Sequence, residues 1–172
     1  MFSIIIPVYN KEKYIEKTIM SIKAQTFQEF EVIFIDDGST DKSVELIKPF
    51  LNEAKFKIIQ QPNSGVSAAR NVGIAQAKYD FIAFLDADDL WHPQYLEEHK
   101  NAWIQFNDVS IIGSKYIKVE EGNEVIFDFE NRPKAYEIED YFKYAEKDLL
   151  FWTSSLTIKK QVFEKMAKAF IQ

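Results

Sequence analysis

Two apolar runs in this chain, Ile33-Phe34-Ile35 and Ile82-Ala83-Phe84-Leu85, break off directly into aspartates, Asp36-Asp37 and Asp86-Ala87-Asp88-Asp89. Short, unbroken apolar runs of this kind read as strands buried on both faces, the habit of a parallel sheet. Parallel strands need crossover segments between them, and the chain supplies these at helical spacing. Phe2–Val8 is a first strand. Asn10 is placed to cap a helix in which Tyr14, Ile15, Ile19 and Ile22 recur on one face. After the strand Glu31–Ile35, a second helix carries Val44, Leu46, Ile47, Phe50 and Leu51. Phe56–Ile59 is a third strand, Gln61–Gly65 a loop, and Ser67–Ala77 a helix of small residues able to pack closely on a sheet. Phe81–Leu85 is the fourth strand. Pro93 suits the first turn of the next helix, with Tyr95, Leu96, Trp103 and Phe106 as its buried positions.

This alternation predicts an α/β fold, a mostly parallel Rossmann-like sheet with helices on both faces. Beyond Val109 the texture changes. Ser110–Val119 and Glu124–Phe129 read as strands, Glu137–Ala145 as a helix, Leu156–Ile158 as a strand and Gln161–Lys168 as a helix. At 172 residues, 47% of them apolar, the chain is long enough for one domain with its own core.

Ligands of open α/β sheets bind outside the carboxyl ends of the strands, which puts both acidic clusters and Pro7–Asn10 on one edge. In Asp86-Ala87-Asp88, extended residues two apart point the same way. Their hard oxygens suit magnesium or manganese, with coordination positions left for diphosphate oxygens. Alone, the triplet fits a helix cap better than a metal site; the apolar strand before it and its acidic neighbour reverse that. A calcium loop would need Asp and Gly where Leu90 and Trp91 stand. An aspartyl phosphotransferase, with Asp86 as nucleophile, would carry the motif on its first strand rather than its fourth. In Asp36-Asp37-Gly38-Ser39-Thr40-Asp41, Asp41 can cap the following helix while Asp37 faces a ligand. Arg70 can pair with the strand-end aspartates or with phosphate. His92 and His99 lack a third ligand at metal-binding spacing.

Net charge is −6, from 21 basic and 27 acidic residues with no basic cluster, which argues against a nucleic-acid partner. An acidic chain binding an anion needs a metal or backbone amides locally. There is no cysteine, and no apolar run approaches the roughly 18 residues that span a membrane. The default compartment is the cytoplasm, with the inner face of the membrane as a second location. Phe142, Tyr144 and Phe151-Trp152 are open to three readings: core packing, an acceptor groove, or peripheral membrane contact.

With these motifs in view, the chain resembles the family 2 glycosyltransferases of GT-A fold. The resemblance rests on Pro7-Val8-Tyr9-Asn10, Ile35-Asp36-Asp37-Gly38-Ser39-Thr40-Asp41, Asn63 through Gly73 and Leu85-Asp86-Ala87-Asp88-Asp89, in family order over roughly residues 1–115. It implies a single domain over 1–172, with a nucleotide-sugar-binding half (1–115) and an incomplete acceptor-side half (116–172). It implies that Pro7 and Tyr9 line the base pocket and that Asp37 bonds the base, commonly uracil. Asn63 and Arg70 would place the nucleotide, Asp86 would approach the ribose, and Asp88 would carry Mn2+ or Mg2+ on the diphosphate. The implied reaction is an inverting displacement from a nucleoside-diphosphate-sugar, expected to be a UDP-sugar, to a hydroxyl of a glycan or lipid-linked acceptor.

One departure matters. In the family the base follows a stretch like Ser154 through Lys165; here Met166–Gln172 follows, without an acid. The expectation is therefore that the base lies beyond Gln172. Glu139-Asp140 reads as a surface helix pair. The competing reading is a truncated, non-catalytic nucleotide-sugar-binding module.

Overall fold

The computed structural model describes residues 1–114, 117–120, 123–126 and 152–169. In chain order these form β1 (Phe2–Val8), α1 (Ile15–Lys23), β2 (Phe30–Asp36), α2 (Ser43–Ile47), β3 (Phe56–Gln60), α3 (Val66–Gln76), β4 (Phe81–Phe84) and α4 (Tyr95–Gln105). The three-residue strand β5 (Ile111–Gly113), β6 (Ile117–Glu120), β7 (Asn123–Ile126), β8 (Leu156–Lys159) and α5 (Lys160–Ala169) complete them.

The main sheet has six strands in the order β3-β2-β1-β4-β8-β5. Its first four are parallel, as the apolar runs predict. β8 joins antiparallel to β4, and β5 antiparallel to β8. Alternation along β1 sorts the core into two layers. Ile4, Ile6 and Val8 pack with Ile15, Ile19, Ile22, Ile47 and Leu96 of α1, α2 and α4. Ile5 faces the other way, with Ile33, Ile35 and Ile82, onto Ala69 of α3. Both faces of the sheet are thus covered by helices, as expected of parallel strands.

The small residues of α3 are what bring it onto the sheet. A Cβ at Gly73 would stand 2.4 Å from Cγ2 of Ile5, a residue that is fully buried and cannot swing aside. Gly73→Ala is therefore expected to destabilise the fold by about 1–3 kcal/mol through overpacking. A urea melt reads this as a lower midpoint at unchanged slope; an unchanged midpoint would mean that α3 stands farther off than the geometry has it.

Several local expectations need correction. Asn10 does not cap α1. It adopts φ 52° and turns its Oδ1 to accept the Thr40 N–H at 2.8 Å. The carbonyl of Lys11 opens α1 instead, accepting from Tyr14 and Ile15, and Tyr14 lies exposed ahead of the helix. The second helix stops at Ile47 and continues as a 3-10 turn over Lys48–Asn52, since Pro49 has no N–H for the α-helical ladder. Phe106 falls past the end of α4 and is exposed. The single strand read over Ser110–Val119 is two, in different sheets. β5 pairs with β8, the Ser114 N–H goes to the Ser155 carbonyl, and β6 pairs with β7 in a separate sheet. The helix read over Glu137–Ala145 lies outside the described residues, as do Phe127–Phe129, Phe142, Tyr144 and Phe151.

Candidate functional site

The chain lays β2 and β3 to one side of β1, then crosses to place β4 on the other. That reversal opens a crevice between the carboxyl ends of β1 and β4, the switch point where open α/β sheets take ligands. Pro7-Val8-Tyr9-Asn10 leaves β1 on one bank and Asp86-Ala87-Asp88-Asp89 leaves β4 on the other. Asp36-Asp37 at the end of β2 adjoins the first bank through the Asp37 N–H, which donates to the Val8 carbonyl at 2.8 Å.

The acidic segment after β4 is a turn. The Asp89 N–H donates to the Asp86 carbonyl at 3.0 Å, and the buried Thr18 hydroxyl reaches the carbonyls of Ala87 and Asp89 at 2.9 and 3.0 Å. The expectation of an extended backbone here is thereby overturned: turn hydrogen bonding curls the chain, and the two aspartates take separate partners. Asp86 accepts from the Arg70 guanidinium at 2.7 Å, from α3. Asp88 is ion-paired with the Lys11 ammonium, from the β1 bank. Both pairs are part-exposed, so each contributes little to stability.

A third support comes from far along the chain. Residues 153–155 form a 3-10 turn ahead of β8. The Ser154 hydroxyl accepts the Asp86 N–H at 3.0 Å and donates to the Asp89 carboxylate, while its carbonyl accepts the Trp91 indole N–H at 2.6 Å. Burial raises the Asp89 carboxyl above the usual aspartate range, and the Asp86 and Asp88 charges add to this. Hydrogen bonds from Ser154 and the Trp152 side chain offset part of the rise.

Asp37 is occupied. Its carboxylate accepts the Ser64 N–H at 2.9 Å, the Gly65 N–H at 2.8 Å and the Gln61 amide at 2.7 Å, so it pins the loop leading into α3. Burial works to raise its carboxyl; the Ser64, Gln61 and Gly65 hydrogen bonds outweigh that and hold it below the ordinary range. Gly38 must be glycine here: φ is +79°, and a Cβ would approach the Asn63 backbone nitrogen to 3.0 Å. Asp41 accepts the Ser43 N–H at 2.9 Å and the Glu12 N–H at 3.0 Å, stitching the starts of α1 and α2 together.

Of the residues named from sequence, Tyr9 is exposed at the end of β1, Pro7 is buried opposite Ile35, and Asn63 is exposed on the loop that Asp37 holds. Arg70, Asp86 and Asp88 meet at the switch point. Sequence reasoning missed Lys11, Thr18 and the role of Ser154. Lys11 comes immediately after the strand-end motif, but nothing in the pattern marks it as the partner of Asp88. Among the described residues, no group of three or more His, Cys, Asp or Glu side chains gathers to hold a metal. What Asp88 offers is hard carboxylate oxygen, half exposed at the crevice and already holding a cation, the Lys11 ammonium. This suits a divalent ion that draws its other ligands from a bound diphosphate.

The sequence model of the family described as "Glycosyl transferase family 2" matches residues 3–167. An uncharacterized glycosyltransferase of Haemophilus influenzae is 42% identical over 127 residues, covering 73% of this chain and 51% of that one. One from Nostoc is 32% identical over 170 residues, covering 95% of this chain and 52% of that one. The chain thus spans about half the length of these relatives. The crystal structure of S. aureus TarS 1–349 in complex with UDP-GlcNAc superimposes with a TM-score of 0.77 at 28% identity, over 96% of this chain and 47% of that one. The mannosyltransferase PcManGT from Pyrobaculum calidifontis, in complex with GDP-Man and Mn2+, does so with a TM-score of 0.70 at 18% identity, over 96% of this chain and 46% of that one, a likeness of fold.

Proposed function

The chain belongs to glycosyl transferase family 2 and has the GT-A fold, and from that premise we propose that the switch-point crevice holds a nucleoside-diphosphate-sugar for transfer to an acceptor hydroxyl. The observation that carries this reading is the meeting of the Arg70–Asp86 pair, Asp88 and the Tyr9 strand end on one crevice. The TarS complex with UDP-GlcNAc favours a UDP-sugar as donor.

Each side chain then has a task. Tyr9 gives the base an exposed ring to lie on, with Pro7 packed behind the strand end. Asp37 shapes the base pocket through the Gln61–Gly65 loop, and Oδ2, which accepts the Gly65 N–H, keeps a lone pair for a base N–H. Asn63 closes the pocket from the loop tip. Arg70 holds Asp86 toward the ribose, and Asp88 holds Mn2+ or Mg2+. When bound there, the ion stabilises the charge that develops on the departing diphosphate. Ser154 and Thr18 fix the turn that presents these carboxylates. The displacement inverts the anomeric centre, with an acceptor hydroxyl attacking opposite the leaving group and a carboxylate base taking its proton. No described residue is assigned as that base. The acceptor class proposed is a glycan or lipid-linked sugar; among the described residues no helix is long and apolar enough to cross a membrane.

Calorimetry with UDP, GDP and UDP-GlcNAc, with Mn2+ and with EDTA, tests the proposal. Binding of UDP and UDP-GlcNAc that strengthens with Mn2+ is expected. If none of the three binds in the presence of Mn2+, the crevice is not a nucleotide-sugar site.

A further inference from the structure

Lys11 has no task in donor binding as proposed, yet it holds the carboxylate assigned to the metal. Its backbone is fixed: its N–H donates to the Ser43 hydroxyl at 2.7 Å, and its carbonyl accepts from Tyr14 and Ile15. The flanking residues are fixed as well, Asn10 through Ser39 and Thr40 and Glu12 through Asp41. Only the side chain spans the crevice, from the β1 bank to Asp88 on the β4 bank. The two side chains are 33% and 39% exposed, so the ammonium can leave the carboxylate for water or another anion without disturbing the core.

Charge governs the role of this lysine. The turn carries three carboxylates, on Asp86, Asp88 and Asp89, and is faced by two cations, Arg70 and Lys11. A divalent ion and an ammonium group at the Asp88 carboxylate repel each other, so each weakens the other's hold on it. A diphosphate brings anionic oxygens to the same crevice, within reach of a lysine stem pivoting on a fixed backbone. We propose that Lys11 is a tethered counter-cation of Asp88, displaced when a divalent ion and a diphosphate enter together and transferred to the diphosphate. Lys11 thus couples metal binding to nucleotide binding: it weakens the metal site while the crevice is empty and strengthens the nucleotide site once it is filled. This inference rests on the proposed donor site and adds to it the coupling between cation and nucleotide.

Calorimetry and manganese paramagnetic resonance on wild type, Lys11→Met and Lys11→Arg test it. Lys11→Met is expected to bind Mn2+ alone about 5–10-fold more tightly than wild type, and UDP in the presence of Mn2+ about 10-fold more weakly. Lys11→Arg keeps the charge and is expected to stay within a few-fold of wild type in both. A thermal melt checks that all three fold alike. Mn2+ affinity no tighter in Lys11→Met than in wild type, including binding undetectable in both, overturns the inference while leaving the donor site intact if wild type still binds UDP with Mn2+. Failure of wild type to bind UDP with Mn2+ instead overturns the donor site itself.

Discussion

On the proposed donor site, Asp88→Ala is expected to abolish the gain in UDP affinity that Mn2+ confers. The variant removes the part-exposed carboxylate that the donor site assigns to the metal, on a turn whose backbone is held by Thr18 and Ser154 rather than by Asp88. Folding should therefore survive: a part-exposed ion pair with Lys11 is worth about 0–1 kcal/mol. The readout is thermal stabilisation by UDP. At 100 times its dissociation constant a ligand adds about 2.7 kcal/mol to the folded state, and wild type should show this with Mn2+ far more than with EDTA. The variant should show the same small stabilisation in both buffers. Stabilisation that still depends on Mn2+ in Asp88→Ala would move the metal to another carboxylate.

The second large effect is on stability against pH, through His99. The ring lies buried between Tyr95, 4.2 Å away, and the start of β8. Thr157 Oγ1 accepts the Trp103 indole N–H at 3.0 Å and sits 2.8 Å from His99 Nδ1. Thr157 Oγ1 and Nδ1 share one hydrogen bond, in which either can donate according to the ring tautomer, and the nitrogen left over is Nε2. That atom is buried and has no hydrogen-bond partner among the described residues. Burial pushes the imidazole down from 6.5 to about 4.

The unfolded chain therefore takes up a proton in the window between those values where the folded one does not. Stability rises with pH across it, is complete above about 6.5 and is lost as pH falls toward 4. The loss amounts to about 3 kcal/mol at 1.36 kcal/mol per unit. Asp37 and Asp41 lie below their ordinary value of 3.8, so their contribution disappears only in stronger acid. Asp89, raised, works in the opposite sense above 3.8, and does so equally with or without the histidine. Chemical denaturation of wild type and His99→Gln from pH 4 to 7.5 separates these. The variant should lose the rise between pH 4 and 6.5, and an equal rise in both proteins would assign the acid lability elsewhere.

His99 also shows where sequence reading stops. It stands 58 positions from Thr157, and nothing in the chain order pairs the two. The same holds for Ser154. The stretch around it is legible only as a match to the family pattern, whereas in space it holds the turn of Asp86–Asp89 through two hydrogen bonds and Trp91 through a third. Asp37 is legible as a strand-end acid; that it spends its carboxylate on Gln61, Ser64 and Gly65 is not.

By itself the sequence determined the α/β class, the parallel strands β1 to β4 and the edge on which their acids collect. These arise from local patterning, because apolar runs must be buried and helical spacing must cover them. It also made a close seat for α3 legible, since small residues let a helix pack closely on a sheet; that Gly73 meets Ile5 came from the structure. Only the tertiary structure decided which strand ends face each other, that Asp86-Ala87-Asp88 lies in a turn whose aspartates take separate partners, and that Lys11 stands at Asp88. Those contacts join residues up to 77 positions apart. Local propensity carries no information about such pairs, because they are chosen by the strand order 3-2-1-4 and the charge that it brings together.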